Sequence, residues 1–323
     1  MIDNKPVVLV TRKLPELVEK RLREHFNPML NPDDRQYPVS EVLELAAQAD
    51  AILPCHTEKF SADTIALMPS RVKAIANFSV GVDHVDLEAA KQKGIIVTNT
   101  PDVLSDATAE IALLLMLGAA RRAGEGERLM RTQQWKDWSP AFMVGRQISG
   151  KRLGILGMGR VGQVVARRAR GFDMEIHYHN RHPIAADQVE GAIYHATIED
   201  LLSSIDILSI HCPASDQTRG LLNQQRIALM HADAIVVNTS RGGVVDDDAL
   251  VAALESGSIA AAGLDVYNGE PDAIHPGYAK LDNTFLLPHI GSATRDTRNA
   301  MGFRAIDNLL AIFNGEEPGD RVA

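Results

Sequence analysis

The glycines of residues 157–162, Gly-Met-Gly-Arg-Val-Gly, constrain the fold of this chain more than any other segment. An apolar run at 153–156 precedes them, as expected for a buried parallel strand, and a helical pattern at 161–170 follows. A Gly-x-Gly-x-x-Gly motif between a strand and a helix is a dinucleotide-binding turn, because its glycines permit a tight turn and a close backbone approach to phosphate. We therefore predict that a diphosphate lies on the N-terminus of this helix.

Short apolar runs alternate with helical patterns along nearly the whole chain, which indicates parallel sheets with helices on both faces. In the first hundred residues we expect strands at 7–10, 51–53, 74–78 and 95–97, with helices at 15–24, 62–68 and 87–93. The second alternation predicts six strands of a doubly wound domain, at 153–156, 174–179, 205–210, 234–238, 261–266 and 284–287. Outside these we expect a long buried helix at 107–121, an extended polar arm at 124–150 and a closing helix at 294–313.

Length, charge and cysteine content exclude several classes of protein. A chain of 323 residues favours two domains, and a net charge of −9 argues against sequence-independent binding of nucleic acid. The two cysteines, Cys55 and Cys212, lie far apart, so we expect neither a disulfide framework nor a metal site. No signal-peptide pattern and no apolar run of membrane-spanning length is present, and we expect a cytoplasmic protein that binds no membrane.

Polar side chains follow four strands of the second alternation, at the edge where an open parallel sheet binds its ligands. These segments are His211-Cys212-Pro213, Thr239-Ser240-Arg241, Asp265 with Glu270, and His289. An arginine can grip a carboxylate through two parallel bonds, and a histidine oriented by a carboxylate can protonate a carbonyl oxygen. Each residue taken alone has a structural explanation, as a surface cation, a turn or a helix cap. Together on one rim, a guanidinium, a carboxylate and an imidazole predict the catalytic site of a keto-acid reductase.

At these residues the chain resembles the D-isomer-specific 2-hydroxyacid dehydrogenases. The matching segments follow the family's order over nearly the whole sequence: Asn77 to Asp83, Thr98-Asn99-Thr100-Pro101, the glycine turn, Asn238 to Gly242, Gly263 to Val266 with Glu270-Pro271, and Pro288 to Ser292. The resemblance implies that Arg241 binds the substrate carboxylate and carbonyl, and that Glu270 is the partner of His289, the acid/base. It also implies that Asp265 bonds the nicotinamide carboxamide, and that the backbone amides of Val80 and Gly81 receive the substrate carboxylate.

The family's architecture implies two doubly wound α/β domains, a Rossmann dinucleotide-binding domain inserted into a flavodoxin-like substrate domain. We expect the substrate domain at 1–100 and 290–323, and the Rossmann domain at 101–289 with its dimerisation helix and arm at about 101–150. The family's cleft closes on substrate and excludes water. Its usual assembly is a homodimer, in which Trp138 of the arm lines the neighbour's substrate pocket; a core or interface tryptophan is the alternative. Leu53 and the three residues after it are expected to line the pocket.

The strand at 174–179 ends in Asn180-Arg181, where an NAD enzyme usually carries an acid for the ribose 2′-hydroxyl. An arginine there attracts a 2′-phosphate, and an asparagine can donate a hydrogen bond to it. We therefore predict NADPH as cofactor, with NADH less favoured. The residues expected to contact the dinucleotide are Gly157, Gly159, Arg160, Val161, Gly162, Asn180, Arg181, His211, Cys212, Pro213, Thr218, Thr239, Asp265, His289 and Gly291.

The arm motif Trp135-Lys136-Asp137-Trp138 and the segment 145–151 resemble the glyoxylate/hydroxypyruvate reductase branch of the family. This predicts reduction of glyoxylate and hydroxypyruvate to glycolate and D-glycerate. Three alternatives stay open on sequence grounds. The first is a reductase of 2-ketogluconate or another 2-keto acid, and the second is a dehydrogenase that oxidises a small inorganic or one-carbon anion, as in phosphite and formate dehydrogenases. The third is a nucleotide-sensing binding protein like the family's corepressors.

Overall fold

The structure is a computed structural model that describes residues 5–323. The chain folds into two compact units, Met1–Leu104 with Ala293–Ala323, and Ser105–Ser292. The second unit is thus inserted between the two segments of the first. Each unit contains one all-parallel sheet, so the predicted fold class of two doubly wound α/β domains is confirmed.

The first unit contains a five-stranded sheet. Its strands are β1 (Val7–Val10), β2 (Asn27–Met29), β3 (Ala51–Leu53), β4 (Ala74–Ala76) and β5 (Ile96–Thr98), in the spatial order β2-β1-β3-β4-β5. This is the flavodoxin-like order. Its helices are α1 (Glu16–His25), α2 (Val39–Ala46), α3 (Ala62–Leu67), α4 (Leu87–Lys93) and, after the insertion, α12 (Arg295–Phe313).

Apart from the edge strand β2, the strands of this sheet are largely apolar without alternation, because both of their faces are covered by helices. All residues of β3 and β4 are buried. Successive residues of β1 contribute to different clusters: Val8 packs with Ile306 of α12, whereas Leu9 packs with Ile65 of α3. The strands therefore end at a common carboxyl edge between two helical layers.

The second unit contains a seven-stranded sheet. Its strands are β6 (Arg152–Leu156), β7 (Glu175–His179), β8 (Ile193–Tyr194), β9 (Ile207–Ile210), β10 (Ile235–Asn238), β11 (Ala261–Leu264) and β12 (Thr284–Leu286). The order is β12-β11-β10-β9-β6-β7-β8, so the strand order reverses beside β6. The helices are α5 (Ser105–Ala120), α6 (Ala123–Arg131), α7 (Arg160–Ala169), α8 (Ala186–Val189), α9 (Ile198–Ser204), α10 (Gln224–Ile227) and α11 (Asp247–Ser256).

The long helix α5 is buried against the sheet, as its apolar circumference predicts. It packs closely because small residues meet large ones: a Cβ on Gly118 would lie 2.3 Å from the ring of Phe285, and one on Gly263 would lie 2.7 Å from the carbonyl oxygen of Leu115. No helix within residues 5–323 combines the length and apolarity needed to span a bilayer.

Several elements differ from the sequence expectations. The strands β2 and β8 and the helices α2, α8 and α10 were not expected. Of these, β2 and β8 have three and two residues, and α8 and α10 have four each, so they offer no readable periodicity. The first part of the arm forms α6, which the sequence patterns did not indicate. This helix begins where Arg122 pairs through two bonds with Glu125, at 2.8 Å each, and it forms despite Gly124 and Gly126.

An ion pair joins the starts of two neighbouring strands in the second unit. The guanidinium of Arg152, the first residue of β6, donates to Asp206 next to β9 at 2.8 Å, and the backbone N–H of Arg152 donates to the same carboxylate at 2.9 Å. These bonds lower the pKa of Asp206 to about 2, against the opposing effect of its partial burial. A lowered pKa means that the carboxylate stabilises the fold above its ordinary pKa, and that this contribution is lost as the pH falls towards 2.

Removing the negative charge of Asp206 is expected to destabilise the second unit at neutral pH. For Asp206→Asn we expect a loss of about 1 kcal/mol, allowing for solvent screening of a partly exposed pair, and hence a midpoint of thermal unfolding about 2–4 °C lower at pH 7. The gap from the unmodified protein should narrow between pH 4 and pH 2 in scanning calorimetry. Asp233→Asn is the control, since Asp233 is 86% exposed in its pair with Arg146. A gap that widens on acidification would contradict this explanation.

Candidate active site

The glycine turn after β6 has the geometry of a phosphate cradle. Gly157 has a φ of +98°, and a Cβ there would lie 2.6 Å from the backbone nitrogen of Cys212, so only glycine fits. A Cβ on Gly162 would lie 2.4 Å from the carbonyl oxygen of Gly157, whereas the space around Gly159 is open. Within residues 5–323 the backbone N–H groups of Gly159 and Val161 have no acceptor. Such unpaired groups at the start of α7 fit a dinucleotide diphosphate.

Asn180 and Arg181 occupy the end of β7, beside this turn. The side-chain oxygen of Asn180 accepts a hydrogen bond from the backbone N–H of Met158 at 2.7 Å, which leaves its amide NH₂ as a donor. Arg181 is exposed, and its guanidinium forms no ion pair or hydrogen bond with the described part of the chain. The position therefore presents donors and a cation where a ribose-binding acid would stand.

A neutral histidine lies at the next strand end. The Nε2 atom of His211 is 2.8 Å from the hydroxyl of Ser209, and its Nδ1 atom is 3.2 Å from the hydroxyl of Thr239. Burial of the ring lowers the pKa of His211 to about 4, so the imidazole is uncharged at neutral pH. Beyond it, the hydroxyl of Thr218 donates to the carbonyl of Pro213 at 2.7 Å and shapes the loop after β9.

The predicted acid/base pair is formed in the structure. The Nδ1 atom of His289 lies 2.5 Å from Oε1 of Glu270, and Oε2 of the same carboxylate accepts from the backbone N–H of Tyr267 at 2.8 Å. Both residues are partly buried. His289 has a φ of +54°, a left-handed conformation that costs a non-glycine residue about 1–2 kcal/mol. Such strain persists only where surrounding bonds impose it, and it concentrates at functional sites.

Asp265 holds the backbone after the histidine. Its carboxylate oxygens accept hydrogen bonds from the backbone N–H groups of Ile290 and Gly291, at 2.8 Å each. Asp265 is 1% exposed, and burial raises the pKa of its carboxyl despite these bonds and the nearby His289. A buried carboxylate with free lone pairs can still accept from a ligand amide, as the resemblance implies for the nicotinamide carboxamide.

Arg241 follows β10, and its loop contacts the loop after β11. A Cβ on Gly242 would lie 1.9 Å from the carbonyl carbon of Tyr267, so the two loops are in backbone contact only because residue 242 is glycine. The side chain of Asn238 donates to the carbonyl of Arg241 at 2.9 Å. Since β10, β11 and β12 are neighbours, Arg241, Glu270 and His289 stand on three adjacent strand ends.

Tyr267 is a site residue that the sequence patterns did not reveal. Its hydroxyl lies 3.0 Å from the carbonyl of Leu264 and 2.9 Å from that of Leu287, which end β11 and follow β12. Because its backbone N–H donates to Glu270, Tyr267 connects both strand ends to the Glu270 carboxylate. The signal available in the sequence was a tyrosine two residues after Asp265, but one of its two partners, Leu287, follows another strand.

The loop after β4, in the first unit, carries the predicted carboxylate-binding amides. The backbone N–H groups of Val80 and Gly81 have no acceptor within residues 5–323. Their carbonyls are held, that of Val80 by the side chain of Asn99 at 2.8 Å and that of Gly81 by the hydroxyl of Ser79 at 2.7 Å. Leu53 ends β3 and is 1% exposed, so its side chain belongs to the core below the strand ends.

Trp138 belongs to the irregular part of the arm, after α6. Its side chain is 69% exposed, and its backbone N–H donates to the carboxylate of Asp137. The arm exposes further apolar side chains, namely Met130, Trp135, Phe142 and Val144.

Strand order and glycine turn define a dinucleotide-binding domain that carries a histidine–carboxylate pair. The family model for the NAD binding domain of D-isomer specific 2-hydroxyacid dehydrogenases matches residues 113–291. The glycerate dehydrogenase of Hyphomicrobium methylovorum is 43% identical over 316 residues, which cover 97% of this chain and 98% of that protein. The glyoxylate reductase of Thermococcus onnurineus is 41% identical over 318 residues, 97% of this chain and 95% of that protein.

A solved structure of another reductase is also similar to this chain over nearly its whole length. The NADPH-dependent glyoxylate/hydroxypyruvate reductase of Sinorhizobium meliloti, in complex with NADP and malonate, is similar with a TM-score of 0.88 and 32% identity, over 99% of this chain and 97% of that one. The chain therefore belongs to the D-isomer specific 2-hydroxyacid dehydrogenase family. It is an oxidoreductase with a nicotinamide dinucleotide-binding domain, and its pattern is that of the glyoxylate/hydroxypyruvate reductase branch.

Removing the Tyr267 hydroxyl is expected to loosen the two strand ends. In Tyr267→Phe the ring still fills its place, but two buried carbonyls lose their shared donor, which costs about 1–2 kcal/mol. We expect a midpoint of thermal unfolding lower by roughly 3–6 °C. Tyr194→Phe is the matched control, since that hydroxyl makes one longer bond of 3.3 Å to the carbonyl of Asn180. Equal midpoints for the two variants would show that the hydroxyl does not join the strands.

Proposed function

We propose that this protein reduces small 2-keto acids, glyoxylate and hydroxypyruvate, to D-2-hydroxy acids with NADPH. The observation that carries the proposal is the 2.5 Å contact between His289 and Glu270, which stands on the sheet whose glycine turn fits a dinucleotide. The names of the relatives support it, since they include a glycerate dehydrogenase, a glyoxylate reductase and an NADPH-dependent reductase of both keto acids.

His289 is the proposed proton donor. Because Nδ1 contacts Glu270, the proton would pass to the substrate carbonyl oxygen from Nε2. The adjacent carboxylate holds the imidazole ring in one orientation. Bound NADPH would supply a hydride to the carbonyl carbon and leave as NADP⁺. The carbonyl oxygen takes the proton from Nε2, so the keto acid gains one hydride and one proton, and His289 is left neutral.

Arg241 and the Val80–Gly81 amides are proposed to hold the substrate. A guanidinium can form two parallel bonds to a carboxylate and the neighbouring carbonyl oxygen, which polarises the carbonyl. The unpaired N–H groups of Val80 and Gly81 offer a second pair of donors to the carboxylate. Leu53 would support this loop from the core, and Asp265 would accept from the nicotinamide carboxamide.

The preference for NADPH is proposed from Asn180 and Arg181. A 2′-phosphate would meet the guanidinium of Arg181 and the amide NH₂ of Asn180, and no carboxylate at the end of β7 would repel it. The NADP complex of the Sinorhizobium meliloti reductase supports this choice.

We also propose a homodimer. The exposed apolar side chains of the arm, with Trp138 69% and Trp135 51% exposed, are costly in water and favour burial against a second copy. In that assembly Trp138 would line the substrate pocket of the neighbouring subunit. Both cysteines are free thiols, which supports the expected reducing cytoplasm.

The cofactor proposal predicts a selective effect of Arg181→Ala. Losing one charge-assisted contact to a 2′-phosphate should raise the KM for NADPH roughly tenfold or more, while the KM for NADH stays nearly constant. Steady-state kinetics with glyoxylate and each cofactor measure this. Arg167→Ala is the control, because Arg167 is 61% exposed on α7, away from the turn. A clear preference of the unmodified enzyme for NADH would refute the proposal.

The mechanism predicts that His289→Asn abolishes most turnover. Asparagine tolerates the left-handed backbone at this position, so the variant removes the proton donor without adding strain. We expect kcat to fall by about 10²–10⁴-fold, with the Kd of NADPH nearly unchanged in fluorescence titration. The matched control is His231→Asn at an exposed position. Near-normal kcat in His289→Asn would rule out His289 as the acid.

A further inference from the structure

We propose that Arg298 is a second cationic binding residue for the substrate carboxylate, acting together with the backbone amides of Val80 and Gly81. This inference rests on the proposed function and assigns a role to a residue that the reaction scheme above does not use.

Arg298 lies in the first turns of α12, beside the carboxyl edge of the first unit's sheet. Its guanidinium carbon is 6.0 Å from the centre of the Phe78 ring, which places the cation against an aromatic face. Phe78 follows β4 and directly precedes the Ser79–Val80–Gly81 loop. Its backbone N–H donates to the carbonyl of Pro54 at 2.8 Å, so the segments after β3 and β4 are joined beneath Arg298.

The charge of Arg298 is not neutralised by the described chain. No carboxylate within residues 5–323 lies within 4.0 Å of its guanidinium, although the residue is partly buried. Arg304 on the same helix shows the ordinary arrangement, with Asp320 at 2.7 Å. The side chain of Cys55 lies close to Arg298, but burial raises the pKa of that thiol, so it carries no compensating charge at neutral pH.

Burial disfavours the charged guanidinium and lowers the pKa of Arg298. A partly desolvated cation without a counter-ion is costly, and an anionic ligand that supplies the missing charge recovers that cost. The carboxylate of Glu58, the acid three residues after Cys55, accepts from Thr11, Thr57 and the backbone of Cys55, and it forms no ion pair with Arg298 within residues 5–323.

The Val80–Gly81 loop, which follows Phe78, offers a second group of donors for an anion. Its two N–H groups have no acceptor in the described chain, and the loop begins one residue after Phe78. Two amides and a guanidinium at one strand edge match the two oxygens of a single carboxylate. A 2-keto acid presents such a group at its reactive end, which favours the substrate carboxylate over a distal substituent.

The test compares Arg298→Met, Arg298→Lys and the control Arg295→Met, which removes an exposed cation from the first turn of the same helix. Each is assayed with NADPH and either glyoxylate or its neutral ethyl ester. For Arg298→Met we expect kcat/KM for glyoxylate to fall roughly 10–100-fold, chiefly through KM, while kcat/KM for the ester changes less than threefold. Arg298→Lys should recover part of the loss, and the control should match the unmodified enzyme.

Equal losses on glyoxylate and the ester would assign Arg298 a structural role and overturn the inference, as would an unchanged KM in Arg298→Met. In both cases the unmodified enzyme still reduces glyoxylate, so the proposed function stands. Failure of the unmodified enzyme to oxidise NADPH with any 2-keto acid would instead refute the proposed function. Thermal unfolding and the Kd of NADPH, measured for every variant, identify any variant that has lost its fold.

Discussion

The left-handed backbone at His289 is held by hydrogen bonds on both sides of the residue, and the geometry of the His289–Glu270 pair depends on them. On the N-terminal side, the Tyr267 hydroxyl binds the carbonyl of Leu287. On the C-terminal side, Asp265 accepts from the amides of Ile290 and Gly291. These bonds offset the conformational cost of about 1–2 kcal/mol and aim Nδ1 at Glu270. The side chain is thereby oriented before any substrate binds, which is what efficient proton transfer requires.

The residues of the proposed catalytic pair come from segments that are distant in the sequence, and strand pairing brings these segments together. Tyr267, Asp265 and Glu270 all belong to the segment after β11, whereas His289 follows β12. Parallel pairing of β11 with β12 brings the two segments together, since Leu264 and Leu286 are register partners. The dinucleotide turn stands on β6, beside the reversal of strand order where α/β sheets bind nucleotides. One sheet thus carries both the glycine turn and the His289–Glu270 pair of the proposed hydride-transfer site.

Local patterns predicted much of this arrangement. Six of the seven strands of the second unit and the buried helix α5 follow from apolar runs and glycine spacing, and the placement of polar residues after strands indicated the grouping of Glu270 with His289. The short strands β2 and β8 could not be predicted, because two or three residues carry no periodicity and their pairing is decided by the neighbouring strand. The helix α6 was missed because its glycines favour irregular backbone, whereas ion pairing of Arg122 with Glu125 supports a helical start.

Partners across the sheet could not be predicted either. The bond from Met158 to Asn180 and the contacts of Tyr267 join residues 22 and 20 positions apart, and nothing in the local sequence indicates them. The unpaired charge of Arg298 is visible only once the surrounding acids are placed. Sequence patterns therefore indicated the candidate site residues, while the structure showed which groups hold those residues in position.

The most direct measurement of the central claim follows the transferred hydrogen. The enzyme would be incubated with hydroxypyruvate and NADPH deuterated at the C4 position of the nicotinamide, with each C4 epimer in turn, and the glycerate analysed by mass spectrometry and chiral chromatography. We expect D-glycerate with one deuterium at C2 from one epimer only. Glycerate without deuterium from either epimer would contradict the proposed hydride transfer. L-glycerate would contradict the proposed D configuration of the product.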